Sequence, residues 1–452
     1  MPHFRSQSSS GLRQTLLLVG LCLLPLLVLV LVLATGIALS PWMFMLLLVL
    51  CLLGMHQVMG SHEADEGAGD AVAEQPTVGA VPEELILKTI DVIYPLANYR
   101  IGNQYIIEGT LLLKPDAAYE DLRHRFEGSE LVPLLQESEA GRPMLVLAPS
   151  QSLHTPVQRE GRAWLNGVLF VATLATTTWA GAAHRGVNLI SQPDHIYSGL
   201  PYALALMLIL GAHEMGHYFM ARRHDIHVSL PYFIPMPFAL GTFGAFIQMK
   251  SLARNRSQMF DVAVAGPLAG LVIAIPALLI GLRYSTVTPV TEAPAMLMGG
   301  TDVGSSVLFA FLAKAALGDA VLEGHRLILH PIAFAGWLGL LVTALNLIPV
   351  GQLDGGHMIH ALFGHRTART VGIVSLVALV LLGLFVWSGL LFWALFLFLV
   401  AGTRDVPPRN DVSRVDRSRM VLGAAAFVLL LLILVPVPHV LYTSFGIHCP
   451  YA

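Results

Sequence analysis

One short motif has the residue types and the spacing of a catalytic metal site. Residues 213–217 read His-Glu-Met-Gly-His and lie inside an apolar run that starts at Gly199. On an α-helix, residues i and i+4 share a face about 6 Å apart along the axis, so both imidazoles can reach one Zn²⁺ ion. Glu214 can then act as general base for a water molecule at the metal. We therefore predict that His213 and His217 are metal ligands and that Glu214 is catalytic.

A second motif supplies the ligand that the first one lacks. Two imidazoles and a water leave a tetrahedral catalytic site one protein ligand short. The best donor lies in residues 346–357, which read Asn-Leu-Ile-Pro-Val-Gly-Gln-Leu-Asp-Gly-Gly-His. We predict Asp354 as the third ligand and Asn346 as a polar group that positions the substrate or polarises its carbonyl. His357 is the competing ligand, and a plain Asp-Gly turn at a helix end is the non-functional alternative.

The two motifs together resemble those of the site-2 protease family of intramembrane zinc metalloproteases. The resemblance covers residues 163–369, and the family's Asn-x-x-Pro-x-x-x-Leu-Asp-Gly motif matches residues 346–355 without a gap. It implies one Zn²⁺ ion and an endopeptidase that cuts within or near transmembrane segments of membrane proteins, its substrates. The soluble extension and residues 241–244 look most like the branch with plastid and cyanobacterial members of the gravitropism-deficient, yellow-green type.

Other functions remain compatible with these residues. Neighbouring helices could simply satisfy the polar side chains, although ionisable groups at membrane depth are costly and usually functional. A membrane transporter or scaffold could bind metal through the same ligands, but it would not need a base at Glu214. A membrane-anchored protease of soluble substrates would differ in the depth of the site, and the apolar residues 201–210 favour an immersed site.

Composition indicates where the motifs lie. Of the 452 residues, 55% are hydrophobic and only 12% are charged, against roughly a quarter charged in soluble domains. The mean hydropathy is +0.69, and several runs reach the about 20 apolar residues that cross a bilayer. Membrane lipid is therefore an expected partner. The net charge of -3 gives no reason to expect nucleic acid as a partner.

We predict an all-α polytopic membrane protein with about seven or eight transmembrane helices, a re-entrant or β-hairpin loop, and a small soluble α/β domain after the second span. The apolar runs are residues 15–39, 42–60, 163–183, 199–221, 262–282, 331–348, 371–400 and 420–439. Because 30 residues are too many for one span, we expect residues 371–400 to form a hairpin broken at Ser388 and Gly389.

The predicted organisation has several parts. These are an N-terminal transmembrane hairpin (1–60), an acidic linker (61–82), a soluble α/β domain (83–162), the metalloprotease membrane core (163–370) and C-terminal transmembrane segments (371–452). In the soluble domain we predict strands at residues 104–113 and 144–148 and a helix that starts at Pro115. Ala118, Leu122 and Phe126 recur at i, i+4 and i+8 on its buried face. A regulator bound by this domain is a further expectation.

Charge bias predicts the orientation of the chain. Arg222 and Arg223 begin one Lys- and Arg-rich loop, and a second such loop lies within residues 404–419. Such loops are cytoplasmic, so the active site should open towards the cytoplasm, and the soluble domain should lie on the same side. Segments 184–198 and 284–330 should lie outside. The 14 residues before the first run are short for an organelle transit peptide, so we expect a bacterial plasma membrane.

The segment between the two motifs is a candidate for substrate binding. Residues 231–251 are rich in proline and glycine and become strand-like from Phe243. An exposed strand edge can hold an unwound peptide by backbone pairing, and in the resembled family the corresponding re-entrant loop contacts substrate. We therefore expect Gly241, Thr242, Phe243 and Gly244 to bind substrate, with a plain connector as the alternative. Small residues at Gly266 and Gly270 predict close helix packing, or contact with the active-site helix.

Overall fold

A computed structural model describes residues 79–138, 140–150, 163–236, 240–289, 306–318, 325–385, 389–400 and 406–435. The predicted hairpin 1–60 and residues 61–78 of the acidic linker lie outside these residues. Within them the protein is mostly helical with small sheets. Five of the helices are long and apolar enough to cross a membrane, as expected of a polytopic membrane protein.

The small domain that precedes the membrane helices has a four-stranded antiparallel sheet in the order β1-β2-β4-β3. Its elements are α1 (Glu83–Leu87), β1 (Ile93–Ile101), β2 (Gln104–Leu111), α2 (Pro115–Arg125), β3 (Leu131–Glu137) and β4 (Pro143–Pro149). The predicted helix start at Pro115 and both predicted strands are confirmed. Ala118, Leu122 and Phe126 are buried against the sheet. Val81 belongs to the same core, so the folded part reaches into the predicted linker.

The first half of the membrane core holds three long helices and a hairpin between the second and third. These elements are α3 (Ala163–His184), α4 (Leu200–Arg223), β5 (Tyr232–Pro235), β6 (Thr242–Phe246) and α5 (Arg256–Arg283). Pro201 in the first turn of α4 and arginines in its last turn fit the ends of a helix. Asn255 caps α5 by accepting a hydrogen bond from the Gln258 amide at 3.0 Å. The β5–β6 pair confirms a β-hairpin in this loop.

The remaining described elements follow in chain order. They are β7 (Thr286–Pro289), α6 (Val307–Leu317), β8 (His325–Ile328), α7 (Pro331–Leu347), α8 (Asp354–Phe363), α9 (His365–Phe385), α10 (Gly389–Val400) and α11 (Arg417–Leu434). Helix α6 was not predicted. It is apolar but has only 11 residues, too few to stand out as a span in a hydropathy pattern.

The run 371–400 is two helices, not one, as predicted. Helix α9 ends at Phe385 and α10 begins at Gly389. A Cβ atom at Gly383 would lie 2.7 Å from the Leu391 nitrogen, so the two helices pack closely beside the break. This contact identifies the run as a helical hairpin.

Helix α5 is the central helix of the core, in contact with α4, α7 and α8. Small residues permit these close approaches. A Cβ at Gly216 of α4 would lie 2.5 Å from the Ala265 carbonyl oxygen, and one at Gly336 of α7 would lie 2.6 Å from the Leu278 nitrogen. Asp261 of α5 also accepts from both Nε and Nη2 of Arg419 on α11, at 2.7 and 2.6 Å. The helices that carry the two motifs are thus both fixed against α5.

Candidate metal centre

Three side chains from the two motifs converge on one point inside the core. The Nε2 atoms of His213 and His217 lie 3.2 Å apart, and each lies 3.4 Å from Oδ2 of Asp354. Among the described residues they form a group of three whose ligand atoms all lie within 4.8 Å of one another. Both histidines are buried. Residues 137 or more positions apart in the chain therefore meet as one donor set.

The triangle fits a zinc ion. Ligand bonds of about 2.0–2.1 Å in a tetrahedral site place neighbouring ligand atoms about 3.3–3.4 Å apart. The observed edges of 3.2, 3.4 and 3.4 Å match one face of such a tetrahedron. Two imidazole nitrogens and one carboxylate oxygen are also the ligand set of several catalytic zinc sites. The fourth position of the tetrahedron remains for water or substrate.

Helix α5 orients the His217 ring. Its Nδ1 atom lies 2.8 Å from the carbonyl oxygen of Val262, so a proton on Nδ1 donates to that oxygen and leaves the Nε2 lone pair for a metal. Such contacts fix the tautomer of metal-binding histidines. Gly266, one turn further along α5, makes room for the ring: a Cβ atom there would lie 2.0 Å from His217 Nε2. The predicted contact between this glycine and the active-site helix is confirmed.

The second motif ends one helix and begins another. Helix α7 ends at Leu347, and Asp354 is the first residue of α8, so the predicted break after Asn346 is confirmed. Gly355 allows the first turn of α8 to lie directly against the end of α7, because a Cβ there would lie 2.0 Å from the Leu347 carbonyl oxygen. The break presents the Asp354 carboxylate to the histidines of α4.

The other predicted site residues take different positions. Glu214 is buried, lines the cavity beside the metal centre and is outside the converging set of three ligands. The Asn346 Nδ2 atom lies 3.2 Å from His213 Nε2. His357, the competing ligand, lines the same cavity but is not in the set. The geometry therefore favours Asp354 over His357 as third ligand.

The cavity has a volume of about 500 Å³ and reaches well beyond the metal centre. Its walls come from both motifs and from two further segments. Residues 245–253, which begin at the end of β6, form a long stretch of the lining, and Val406, Pro407 and Pro408 contribute from a distant part of the chain. Extended backbone and apolar side chains thus lie in one cavity with the converging histidines.

The four residues predicted to bind substrate lie at the start of this hairpin strand and are not among the lining residues. Gly241, with φ of +81°, is packed against α3, where its carbonyl oxygen accepts from the Thr176 hydroxyl at 2.7 Å. Thr242 is buried, and its hydroxyl donates to the Ile234 carbonyl oxygen. Phe243 is 52% exposed. The Gly241 contact fixes the hairpin on α3, the Thr242 bond joins its two strands, and the direct role of the four residues in substrate binding stays a prediction.

Two parts of the site were missed by sequence reasoning. The backbone carbonyl of Val262 has no sequence signature, because any residue carries one. Val406, Pro407 and Pro408 follow the apolar run 371–400 and resemble an ordinary proline-containing loop. The two adjacent prolines were a signal of a rigid turn, but they did not indicate proximity to residues 213–217.

Comparison with known proteins identifies similar chains. Residues 201–386 match the model of peptidase family M50. The chain is 36% identical over 305 residues to "Probable zinc metalloprotease EGY1, chloroplastic" of Arabidopsis thaliana, covering 62% of this chain and 54% of that protein. It is 30% identical over 341 residues to "Probable zinc metalloprotease EGY2, chloroplastic" of the same plant (74% and 60%), and 28% identical over 372 residues to the protein of that name from Oryza sativa subsp. indica (79% and 67%).

The chain therefore spans between about half and two thirds of the length of these relatives. They are the gravitropism-deficient, yellow-green branch that the sequence resemblance predicted. No solved structure matches the chain.

Proposed function

Because residues 201–386 belong to peptidase family M50, the site-2 proteases, we propose that the protein is a zinc-dependent intramembrane endopeptidase. Its substrates would be membrane proteins, cut within or near their transmembrane segments. The observation that carries this proposal is the triangle of His213, His217 and Asp354 beside a buried Glu214. A metal transporter or scaffold has no support from the family or from the relatives.

We assign His213, His217 and Asp354 as ligands of one Zn²⁺ ion. When bound, the ion would polarise the scissile carbonyl as a Lewis acid. It would also lower the pKa of water, so that hydroxide is available as the nucleophile near neutral pH. The Val262 carbonyl holds the His217 ring in the tautomer that can bind metal. Both histidines are buried, so their rings have little contact with bulk solvent.

Glu214 is the general base in this proposal. It sits one residue from His213 in the cavity wall, outside the ligand set, so its carboxylate is available to move protons. Glu214 would accept a proton from the attacking water and return it to the leaving amine nitrogen. Asn346 would orient the substrate carbonyl through its side-chain amide, which lies beside His213.

The substrate would lie extended along the hairpin. The segment that follows β6 lines the cavity, and an extended peptide can pair with exposed backbone there. Gly241 supports this role by fixing the hairpin on α3, and Thr242 by joining the two strands of the hairpin, while the exposed Phe243 and the adjacent Gly244 are available to contact a transmembrane substrate. A loop that only joined α4 to α5 would not need such specific anchoring.

The finer organisation is also a proposal. We retain the parts predicted from sequence, namely the hairpin 1–60, the linker 61–82, the domain 83–162, the core 163–370 and the C-terminal segments 371–452. The protein is an integral membrane protein, and Arg222 and Arg223 at the end of α4 support a site that opens to the cytoplasm. The relatives named above are chloroplast proteins, so a bacterial plasma membrane stays a prediction. The binding of a regulator by the small domain also stays a prediction.

The proposal is tested by reconstituting the wild type and Glu214→Ala in liposomes with single-span reporter substrates. We expect wild-type cleavage inside the apolar segment, and a loss of about 10²- to 10⁴-fold in the variant, because general base catalysis contributes that much. The zinc content of purified protein should be equal in the two. A folded, zinc-loaded wild type that transports metal ions across the liposome membrane and cleaves no reporter would contradict the assignment.

A further inference from the structure

A segment far from both motifs joins the small domain to the catalytic cavity. We call residues 406–413 the connector. Its first part, Val406, Pro407 and Pro408, lines the same cavity as His213 and Asp354. Its second part runs beside strand β3 of the small domain. The connector therefore has one end in the cavity wall and the other on a domain that lies before the membrane core in sequence.

Backbone hydrogen bonds attach the connector on both sides. The Leu135 amide of β3 donates to the Arg409 carbonyl at 2.8 Å, and the Asp411 amide donates back to the Leu135 carbonyl at 2.7 Å. On the other side, the amides of Arg409 and Asn410 donate to the carbonyls of Ala253 and Arg254, each at 2.9 Å. Ala253 is itself a cavity residue. The connector thus joins the small domain to the cavity wall through two isolated parallel bridges at Asn410, to Leu135 and to Asn255.

Side chains fix the connector at a defined position. The Gln136 Nε2 atom of β3 donates to the carbonyl oxygen of Pro408 at 2.9 Å. Asp411 is almost fully buried and accepts from Arg256 Nε at 2.8 Å. The same Oδ1 atom lies 2.9 Å from His360 Nε2 on α8, the helix that begins with Asp354. A single carboxylate therefore links the connector to α5 and to the helix of a proposed metal ligand.

The cavity end of the connector has a particular chemistry. Pro407 and Pro408 have no backbone N–H and nearly fixed φ angles, so these two residues cannot donate backbone hydrogen bonds to an extended peptide. It offers apolar surface instead, including Val406, which is 56% exposed. An apolar, rigid wall next to a peptide-binding cavity discriminates between side chains by size and apolarity.

We propose that the connector is a specificity-determining wall of the substrate cleft. Val406 and Pro407 contact an apolar side chain of the substrate near the scissile bond, and the small domain sets the position of this wall through Gln136 and Leu135. The small domain is then a positioning element for substrate choice. This inference rests on the proposed protease function and adds the residues that select the substrate.

The first test measures contact without cleavage. A photo-crosslinking benzoylphenylalanine replaces Val406 in a Glu214→Ala background, and a single-span reporter peptide is added in liposomes. We expect a crosslink from position 406 and none from the same group at Tyr94, which is exposed on β1 of the small domain. A crosslink yield at 406 no higher than at 94 would overturn the proposed contact.

The second test measures selection. Two reporters differ only in one apolar residue beside the scissile bond, alanine in one and leucine in the other. We expect Val406→Ala to shift the ratio of their kcat/KM values towards the leucine reporter by about tenfold, the scale of one or two methyl groups in an apolar pocket. A merely structural role would change both reporters equally and leave the ratio unchanged.

The third test separates the small domain from the wall itself. Gln136→Leu removes the hydrogen bond to Pro408, and Gln104→Leu makes the same change at an exposed position of β2. We expect the reporter ratio to shift by about fivefold in Gln136→Leu, the worth of one hydrogen bond, at unchanged zinc content. Gln104→Leu should match the wild type. Equal ratios in both variants would refute the positioning role.

The outcomes distinguish this inference from the proposed function. If the wild type cleaves the reporters but position 406 gives no crosslink and the reporter ratio does not change, the protease function is supported and the specificity-determining wall is contradicted. A crosslink from position 406 in the Glu214→Ala background, together with a wild type that cleaves no reporter, would contradict the protease function and support only a wall that contacts peptide. Absence of both cleavage and crosslink in folded, zinc-loaded protein would overturn both.

Discussion

At the scale of single residues, the candidate metal centre depends on one glycine that is not itself a proposed metal ligand. A Cβ atom at Gly266 would lie 2.0 Å from Nε2 of His217. A contact under 3 Å forces either the imidazole ring or the backbone of α5 to move. The ring cannot yield without losing its hydrogen bond to Val262. The position of His217 is therefore determined by the helix opposite as much as by its own.

We expect Gly266→Ala to lose most of its zinc and its cleavage activity. Metal analysis of purified protein checks this directly. Gly167→Ala is the matched control, because a Cβ atom at this position of α3 would meet nothing within 4 Å. Gly270→Ala should lie between the two, because its nearest contact, with the His213 Cβ, would be 3.3 Å. Full zinc content in Gly266→Ala would show that α5 can shift to admit a methyl group.

The identity of the third metal ligand, Asp354 or His357, is also a question about single residues. Asp354 completes the triangle with the two histidines, whereas His357 lies in the cavity wall outside it. We expect Asp354→Ala to lower zinc affinity by more than the about 10- to 100-fold typical of groups that only support a ligand. His357→Ala should keep its zinc. Competition with a chelator of known affinity measures both, and the reverse order of affinities would reassign the third ligand.

At the scale of elements, the connector holds a buried ion pair that links parts of the chain distant in sequence. The side chains of Arg256 and Asp411 are 7% and 2% exposed. Removing one partner of such a pair leaves a charge buried without compensation, which costs about 3–5 kcal/mol. Glu137, whose Oε2 lies 3.6 Å from Arg256 Nη2, offers partial compensation.

We therefore expect Asp411→Ala to destabilise the protein by about 3 kcal/mol, the lower end of that range. Thermal unfolding in detergent, followed by loss of monodisperse protein, should show a clearly lower midpoint. Glu120→Ala is the control, because its pair with Arg123 is exposed and such pairs contribute little. Equal midpoints for the two variants would mean that the connector is not part of the stable core.

At the scale of the whole molecule, the proposed metal ligands come from segments that are far apart in the chain. Helix α4 carries two of the proposed ligands and α8 carries the third, and both pack on α5. A ligand that binds only the folded state stabilises it by RT ln(1 + [L]/Kd), about 2.7 kcal/mol at a hundredfold excess over Kd. Zinc should therefore contribute to stability as well as to catalysis.

Chelation should lower the thermal midpoint of the wild type and abolish its cleavage of reporters, and added zinc should restore both. Asp354→Ala should unfold at the same temperature with and without chelator, because it lacks the third ligand. Differential scanning fluorimetry in detergent makes the comparison. A wild-type midpoint unaffected by complete zinc removal would mean that the core is rigid without the ion.

Features that depend on local spacing were predictable from the sequence. Two histidines at i and i+4 share a helix face wherever the helix lies, and proline after Asn346 must end a helix. The long apolar runs and the amphipathic helix at Pro115 were predictable for the same reason, since their periodicity is contained within the segment. Short apolar elements such as α6 fall below the length at which such a pattern is decisive.

Which distant groups meet depends on how the helices pack against one another. Asp354 and His357 are three residues apart on one turn, and packing of α8 against α5 directs the first to the histidines. The carbonyl of Val262, the space at Gly266 and the connector on β3 depend likewise on how helices cross. Such contacts join residues tens to hundreds of positions apart, so they arise from the fit of whole surfaces and leave no periodic signal in the chain.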